Sequence, residues 1–259
     1  MVQHQNIGLT LSGGGIRGMA HLGVLEYLLE IGIEPSIISG TSAGALVGVF
    51  YAAGYSPKEI LEIGKKEKIF GRNNRSKIRV LKSGLFSPLL FDSILSRYLE
   101  GKTFEDLKIP VHVVATDLTN AKEVVFDRGE VITATKASAS VPLVFEPVSH
   151  NGLFLCDGGL INNFPTKLIR EKCDVLIGVN VTTPDISSVS SWNYKNIIER
   201  IIRISISNTT VNQKDSCDVY IEPPSVSQFG TFDYSKADEI FNLGYDYAKD
   251  MSEHFNQLI

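Results

Sequence analysis

Two stretches of this chain put reactive side chains where the backbone must turn sharply. The first is Ile37–Gly48, which reads Ile-Ile-Ser-Gly-Thr-Ser-Ala-Gly-Ala-Leu-Val-Gly. Its β-branched start stops at Gly40-Thr41-Ser42-Ala43-Gly44, and an apolar helical run to Ala53 follows at once. A G-x-S-x-G between strand and helix is a corner with a serine on it. Gly40 and Gly44 flank Ser42 because side chains there would collide with the neighbouring backbone. The hydroxyl then projects above the sheet at a helix N-terminus, where the dipole and free N–H groups favour negative charge. The chemistry this suits is nucleophilic attack.

A serine hydroxyl is a poor nucleophile at neutral pH and needs a base within hydrogen-bond reach. The five histidines are weak candidates. His4 and His254 lie near the two ends, His112 sits in a buried-looking strand, and His21 on the first helix reads as packing. His150, at a hairpin turn shortly before Asp157, is the one serious rival. The second stretch, Cys156-Asp157-Gly158-Gly159, offers more. Asp157 ends an apolar strand, and the two glycines after it let the chain turn away and leave the carboxylate at the strand end. Partial burial raises a carboxylate toward useful basicity. Taken alone, Asp-Gly-Gly is equally an Asx-type turn.

Ile7–Leu11 is an apolar strand that stops at Ser12-Gly13-Gly14-Gly15-Ile16-Arg17-Gly18. The glycines fit G-x-G-x-x-G letter for letter, so a dinucleotide site must be considered. That site also wants an acid at the end of the second strand, and here the second strand ends in Gly40-Thr41-Ser42. Consecutive glycines between strand and helix also let backbone N–H groups converge into a cup for an anion. In a serine hydrolase that anion is the tetrahedral oxyanion, and Arg17 adds fixed positive charge nearby. In a parallel sheet the first two βα turns open on the same edge, so this cup and Ser42 are expected to face each other. A plain tight turn with an exposed arginine is the simpler alternative.

The elements around these turns read as one α/β domain over residues 1–259. Leu22, Leu25, Leu28 and Leu29 stripe the first helix. Ser56-Pro57-Lys58-Glu59 is a capping box that starts another. Val111–Thr116 and Glu123–Phe126 are strands, Glu130–Ser140 a small-residue helix, and Val148–Leu155 a hairpin about Asn151-Gly152. Pro165–Lys172 reads as a short helix and Val175–Val181 as an apolar strand. Thr182–Lys195 reads as a polar loop, Asn196–Gln213 as an amphipathic isoleucine-rich helix, and Asp218–Glu222 as a last strand. From Ser235 onward the pattern is helical. Lys65 to Lys82 is a basic stretch with few acids, and Ser83–Phe91 after it is an apolar, proline-containing loop. A lid touching an anionic membrane surface is one reading; a solvated helix end followed by a core-packing loop is the favoured one.

Composition excludes several classes. A hydrophobic fraction of 43% and a charged fraction of 21% are those of a globular protein, and the net charge of −4 gives no pull toward nucleic acid. The three cysteines are widely spaced, without C-x-x-C, and suggest neither a disulfide framework nor a zinc site. No apolar run approaches the roughly 20 residues that span a bilayer, and Met1–Asn6 carries no secretory signal. The expectation is a cytosolic protein without metal or cofactor.

Together, Gly13-Gly14-Gly15-Ile16-Arg17-Gly18, Gly40-Thr41-Ser42-Ala43-Gly44 and Asp157-Gly158-Gly159 resemble the three signature blocks of the patatin-like phospholipases. Ala137-Ser138-Ala139-Ser140-Val141-Pro142 and Asn163-Phe164-Pro165 resemble that family too, and the likeness runs from about Ile7 to Val181. It implies a three-layer α/β/α sandwich with a mainly parallel central sheet. It further implies a Ser42–Asp157 dyad without histidine, oxyanion donors from Gly13, Gly14, Gly15 and Gly18 supported by Arg17, and hydrolysis of lipid acyl esters without a metal. The alternatives are an acyltransferase or thioesterase using the same acyl-enzyme, or a non-catalytic lipid-binding protein.

Overall fold

The computed structural model describes residues 5–67, 89–182, 194–211, 213–230, 234–255 and 258. The strands are β1 (Ile7–Leu11), β2 (Ile37–Thr41), β3 (Val111–Asp117), β4 (Lys122–Phe126), β5 (Val148–His150), β6 (Leu153–Asp157), β7 (Val175–Val179) and β8 (Val219–Ile221). The helices are α1 (Met19–Glu30), α2 (Ala43–Ala52), α3 (Pro57–Glu67), α4 (Leu89–Leu99), α5 (Val131–Ala139), α6 (Tyr194–Val211), α7 (Ala237–Asp250) and α8 (Ser252–Phe255). All the strands join one sheet. β3, β2, β1, β7 and β8 run parallel, while β4 and the β5–β6 hairpin join antiparallel. The fold is α/β, a mixed, mainly parallel sheet flanked by helices.

β1, β2, β3 and β7 are buried along their whole length, which explains why they read as nearly unbroken apolar runs: parallel strands are covered on both faces. Leu9, Ile38 and Ile177 share one register row and enter the main core with Leu22, Leu25, Val47 and Phe50. Ile37 and Leu176, both aligned with Gly8, face the other way into a smaller cluster with Ile169. Right-handed crossovers account for the layering. The β1-α1-β2 and β2-α2-β3 steps run one way across the sheet and β7-α6-β8 the other, which puts α6 on the opposite face from α1 and α2.

The arrangement about β3 matters most for the site. β4 pairs with Val113–Asp117, β2 with Val111–Val114 and β6 with Ala115–Asp117. Because β4 overlaps both other partners along the strand, it must occupy one edge alone. β2 and β6 therefore share the other edge, end to end and from opposite directions. Thr41 is opposite Val114 and Asp157 is opposite the next residue, Ala115.

Local signals are realised where they were strong. The Ser56 amide donates to the Glu59 carboxylate and the Glu59 amide to the Ser56 hydroxyl, closing the capping box of α3. Asn151 and Gly152 both adopt positive φ, 49° and 78°, as a tight hairpin requires. Two readings change. Pro165–Lys172 forms two separate 3-10 turns, Thr166–Leu168 and Arg170–Lys172, with Pro165 O accepting from Ser39 Oγ and Thr166 Oγ1 donating to the Gln213 side chain. Leu89–Phe91, read as the end of a loop, opens α4, whose Ile94, Leu95 and Leu99 are buried; a continuous apolar run hid the helical period. The rest of Ser83–Phe91, Lys68–Lys82 and most of the Thr182–Lys195 loop lie outside the described residues.

α7 packs along α1 with no room for a side chain between them. A Cβ on Gly244 falls 2.7 Å from Ala20 Cα, and one on Gly23 falls 2.6 Å from the Tyr245 amide nitrogen. Gly244→Ala should therefore destabilise the fold by about 1–3 kcal/mol, the usual cost of overpacking, although alanine is the better helix former. Urea denaturation measures this, and an unchanged midpoint would show that the two helices separate freely.

Candidate active site

Ser42 occupies the corner between β2 and α2 with φ 53° and ψ −117°, a conformation that costs a non-glycine residue on the order of 1–3 kcal/mol. The glycines beside it make the corner possible. A Cβ on Gly40 would sit 2.6 Å from the Gly44 carbonyl carbon, and one on Gly44 would press into the Leu11 backbone of β1. The Ser42 amide donates to Ser138 Oγ at 2.8 Å, and its carbonyl accepts the first helical bond of α2 from Leu46.

Asp157 ends β6 and is 5% exposed. Its amide donates to Ser140 O at 2.9 Å and its carbonyl accepts from Thr116 Oγ1 at 3.0 Å. Gly159 N–H donates to Oδ1 at 2.8 Å, and the Ser42 side chain lies close enough to the carboxyl group to favour its ionised form. Burial pushes the carboxyl up from 3.8 to about 6, against the opposing pull of the Ser42 side chain and the Gly159 hydrogen bond. The shared edge of β3 thus brings the predicted serine and aspartate together, and desolvation makes the aspartate a stronger base than a free carboxylate.

The glycine turn lies beside them: a Cβ on Gly13 would be 3.3 Å from Ser42 Cβ. Its residues divide into different roles. Gly13 N–H donates to Asn163 O at 3.1 Å, so that amide is not available to a ligand. Gly14 and Gly15 N–H meet no acceptor among the described residues, and Gly15 takes φ 60° to start the 3-10 turn Gly15–Gly18. Gly18 backs onto Ala43, where a Cβ would approach the alanine methyl to 2.7 Å; it seats the turn against α2. Arg17, read from sequence as an exposed positive charge or oxyanion support, is buried. Its guanidinium donates to Phe229 O at 2.9 Å and Ser227 O at 3.0 Å, tying the turn to the segment after β8.

The histidines do not join this centre. His150 pairs with Asn151 and packs edge-on against Phe126. His112 takes a hydrogen bond from Lys172 near the start of β3, and His254 is exposed on α8. His21 is buried beside the glycine turn, bonded to Ser12 O; His4 lies outside the described residues. Lys65, at the head of the basic stretch, bonds to Glu62 and Asp238. Among the described residues no group of three or more His, Cys, Asp or Glu stands in a metal-binding arrangement, and no helix is long and apolar enough to cross a membrane.

Sequence reasoning assigned no roles to Ser138, Thr116 or Asn163. Ser138 and Asn163 sit in two of the blocks that carried the family resemblance, which was the available signal. Asn163 is almost fully buried, with Nδ2 bonded to Thr182 and Thr210 hydroxyls. Thr116 gave no signal, since its role follows from strand pairing alone.

The model of the patatin-like phospholipase family matches residues 9–169. The lysophospholipase NTE1 of Kluyveromyces lactis is 30% identical over 98% of this chain and 20% of its own length. Patatin-like phospholipase domain-containing protein 7 of Rattus norvegicus is 28% identical over 93% of this chain and 20% of its own length. The chain thus spans about a fifth of these curated relatives. The solved structure of VipD from Legionella pneumophila superposes with a TM-score of 0.57 at 15% identity, over 97% of this chain and 67% of that one, a likeness of fold. The extent of the family match, over most of the sheet and both turns, makes this chain a member of the patatin-like phospholipase family.

Proposed function

We propose that this chain is a serine acyl-ester hydrolase of lipids, of the phospholipase A, lysophospholipase or esterase type. The observation that carries the reading is the buried Asp157 carboxyl set beside a serine held on a strained corner, close enough for that side chain to favour its ionised form. Family membership and the lysophospholipase names of long relatives support a lipid ester as the substrate class.

Ser42 Oγ attacks the acyl carbonyl carbon while its proton passes to the Asp157 carboxylate. The carbonyl oxygen becomes an oxyanion received by the Gly14 and Gly15 N–H groups. When the intermediate collapses, the ester C–O bond breaks and the proton goes from Asp157 to the departing alkoxide. Water then gives its proton to Asp157 and its oxygen to the acyl carbon; the bond between that carbon and Ser42 Oγ breaks, Oγ takes the proton back from Asp157, and the fatty acid leaves. No histidine is needed because burial, with the carboxyl pushed up to about 6, supplies the basicity. Peripheral contact with a membrane belongs to the same reading. The exposed Ile197, Ile201 and Ile204 on the outer side of α6 favour an apolar contact over the basic one suggested by Lys65.

Ser42→Ala should abolish both ester turnover and labelling by a fluorophosphonate probe while leaving a folded protein, since it removes one hydroxyl from a strained corner. Asp157→Asn should lose nearly all activity and His150→Ala should keep most of it. The opposite pair of results would transfer the role of base to His150.

Gly15→Ala adds a methyl at φ 60° and should lower kcat by about 10²–10³-fold, the usual effect of losing one oxyanion donor, with little change in KM. A dinucleotide site predicts instead saturable NAD or FAD binding by the parent protein, which calorimetry would detect.

The pH dependence has two opposite arms. The base must be ionised, so kcat/KM should rise with pH through about 6. Stability should run the other way. The folded-state value exceeds that of the unfolded chain, so the Asp157 contribution is fully present below about 3.8 and is lost as pH rises through about 6. Asp157→Asn should therefore be more stable than the parent at pH 8, by on the order of 3 kcal/mol, and the gap should close toward pH 4. Denaturant titrations at several pH values measure it, and a gap that widens on acidification would refute the desolvated carboxyl.

A further inference from the structure

We infer that His21 is a positioning residue of the glycine turn: its imidazole pins the Ser12–Gly13 peptide and so sets the direction of the Gly14 and Gly15 N–H groups. The inference rests on the hydrolase reading above, because it assigns those amides to the oxyanion.

His21 projects from the first turn of α1, three residues past Gly18, and is fully buried. Its Nε2 lies 2.8 Å from Ser12 O. A carbonyl oxygen only accepts, so Nε2 carries the proton and Nδ1 is bare. Nδ1 has no hydrogen-bond partner and is the only buried side-chain polar atom so placed among the described residues. An orphaned buried nitrogen costs stability, and a leucine would fill the same space without that cost but would leave Ser12 O unpaired. What the imidazole supplies is the Nε2–H, aimed at one carbonyl.

That carbonyl completes a clamp. Ser12 N–H donates to Val179 O at 3.1 Å and Gly13 N–H to Asn163 O at 3.1 Å. Ser12 Oγ donates to Gly13 O at 2.9 Å and itself accepts from Val181 N–H at 3.0 Å. With Ser12 O held by His21, every backbone polar group of Ser12 and Gly13 has a partner. The next two amides have none among the described residues. Glycines have no side chain to hold them, so the orientation of Gly14 and Gly15 depends on how firmly the preceding residues are fixed. Burial also keeps the imidazole neutral, with its basicity pulled down to about 4 against the opposing Ser12 hydrogen bond; the clamp therefore does not release at working pH. His21 touches no reacting atom in this scheme and acts through the turn.

The test compares His21→Leu and His21→Gln in the full chain by kcat, KM and fluorophosphonate labelling rate. Glutamine places an amide N–H at about the reach of Nε2. His21→Leu should lower kcat by about 10–100-fold, the scale of a small misplacement in a reacting site, with KM little changed. Labelling should slow in parallel, since the phosphonyl oxygen occupies the same cup. His21→Gln should restore most of the kcat. Parental kcat in His21→Leu, or equal losses in both variants, would overturn the inference and leave the dyad intact. If His21→Leu does not fold, 15N-histidine spectra of the parent decide: a single neutral Nε2–H tautomer from pH 5 to 9 is expected, and a tautomer mixture or a cation near pH 6 overturns the clamp. A folded parent that neither labels nor hydrolyses esters would instead remove the hydrolase reading itself, and this inference with it.

Discussion

A β-strand has two edges, and β3 has three partners. That constraint places the chemistry. With β4 filling one edge, β2 and β6 must abut on the other, and their facing ends carry Ser42 and Asp157. The two side chains meet without any long loop to bring them together. Backbone hydrogen bonds of the sheet fix both strand ends, so the distance between nucleophile and carboxylate is set by the pairing register. A slip of one residue would turn Asp157 to the other face of the sheet, which is why Thr116 Oγ1 and Ser140 O, holding the Asp157 backbone, matter as much as the carboxylate's own bonds.

Burial at this junction has a second consequence. A carboxylate deep in the fold is costly, and the chain limits that cost with the Gly159 N–H hydrogen bond and the nearby Ser42 side chain. The balance is incomplete: desolvation still outweighs both and raises the group to about 6. The same imbalance that weakens the fold near neutral pH gives this carboxylate more basicity than a free one, the property that the proposed dyad would use in place of a histidine. Stability and reactivity are opposed at one side chain, as is common for perturbed groups in active sites.

Around the pair, polar groups that would be expensive alone satisfy one another. Thr10 and Ser39 share a hydrogen bond, Ser39 reaches Pro165 O, Thr41 reaches Asn162 O, and Asn163 ties the glycine turn to Thr182 and Thr210. All these contacts lie on the α6 side of the sheet, where the apolar cluster is small. The main core on the other face supplies the bulk of the burial and leaves this side free to be polar, a division that lets a strained serine corner persist in a stable sheet.

Much of this was legible in the sequence because it is local. A corner between strand and helix needs small residues at fixed offsets, so Gly40, Ser42 and Gly44 announced the turn. The capping box of α3 and the Asn151-Gly152 hairpin were equally readable, each being a matter of neighbours within four residues. The parallel strands showed as apolar runs, since burial on both faces leaves no alternation. Sequence also singled out Asp157, through its glycines and its strand. What it could not decide is which elements share an edge, which amides are already engaged, and where a long side chain ends. Arg17 read as an open charge and is spent on carbonyls more than two hundred residues away. Gly13 read as an oxyanion donor and has given its N–H to Asn163. His21 read as packing and holds a carbonyl. The reason is the same in each case: the partner is distant in sequence, and only the tertiary contacts that close those long loops determine which hydrogen bonds remain free to act.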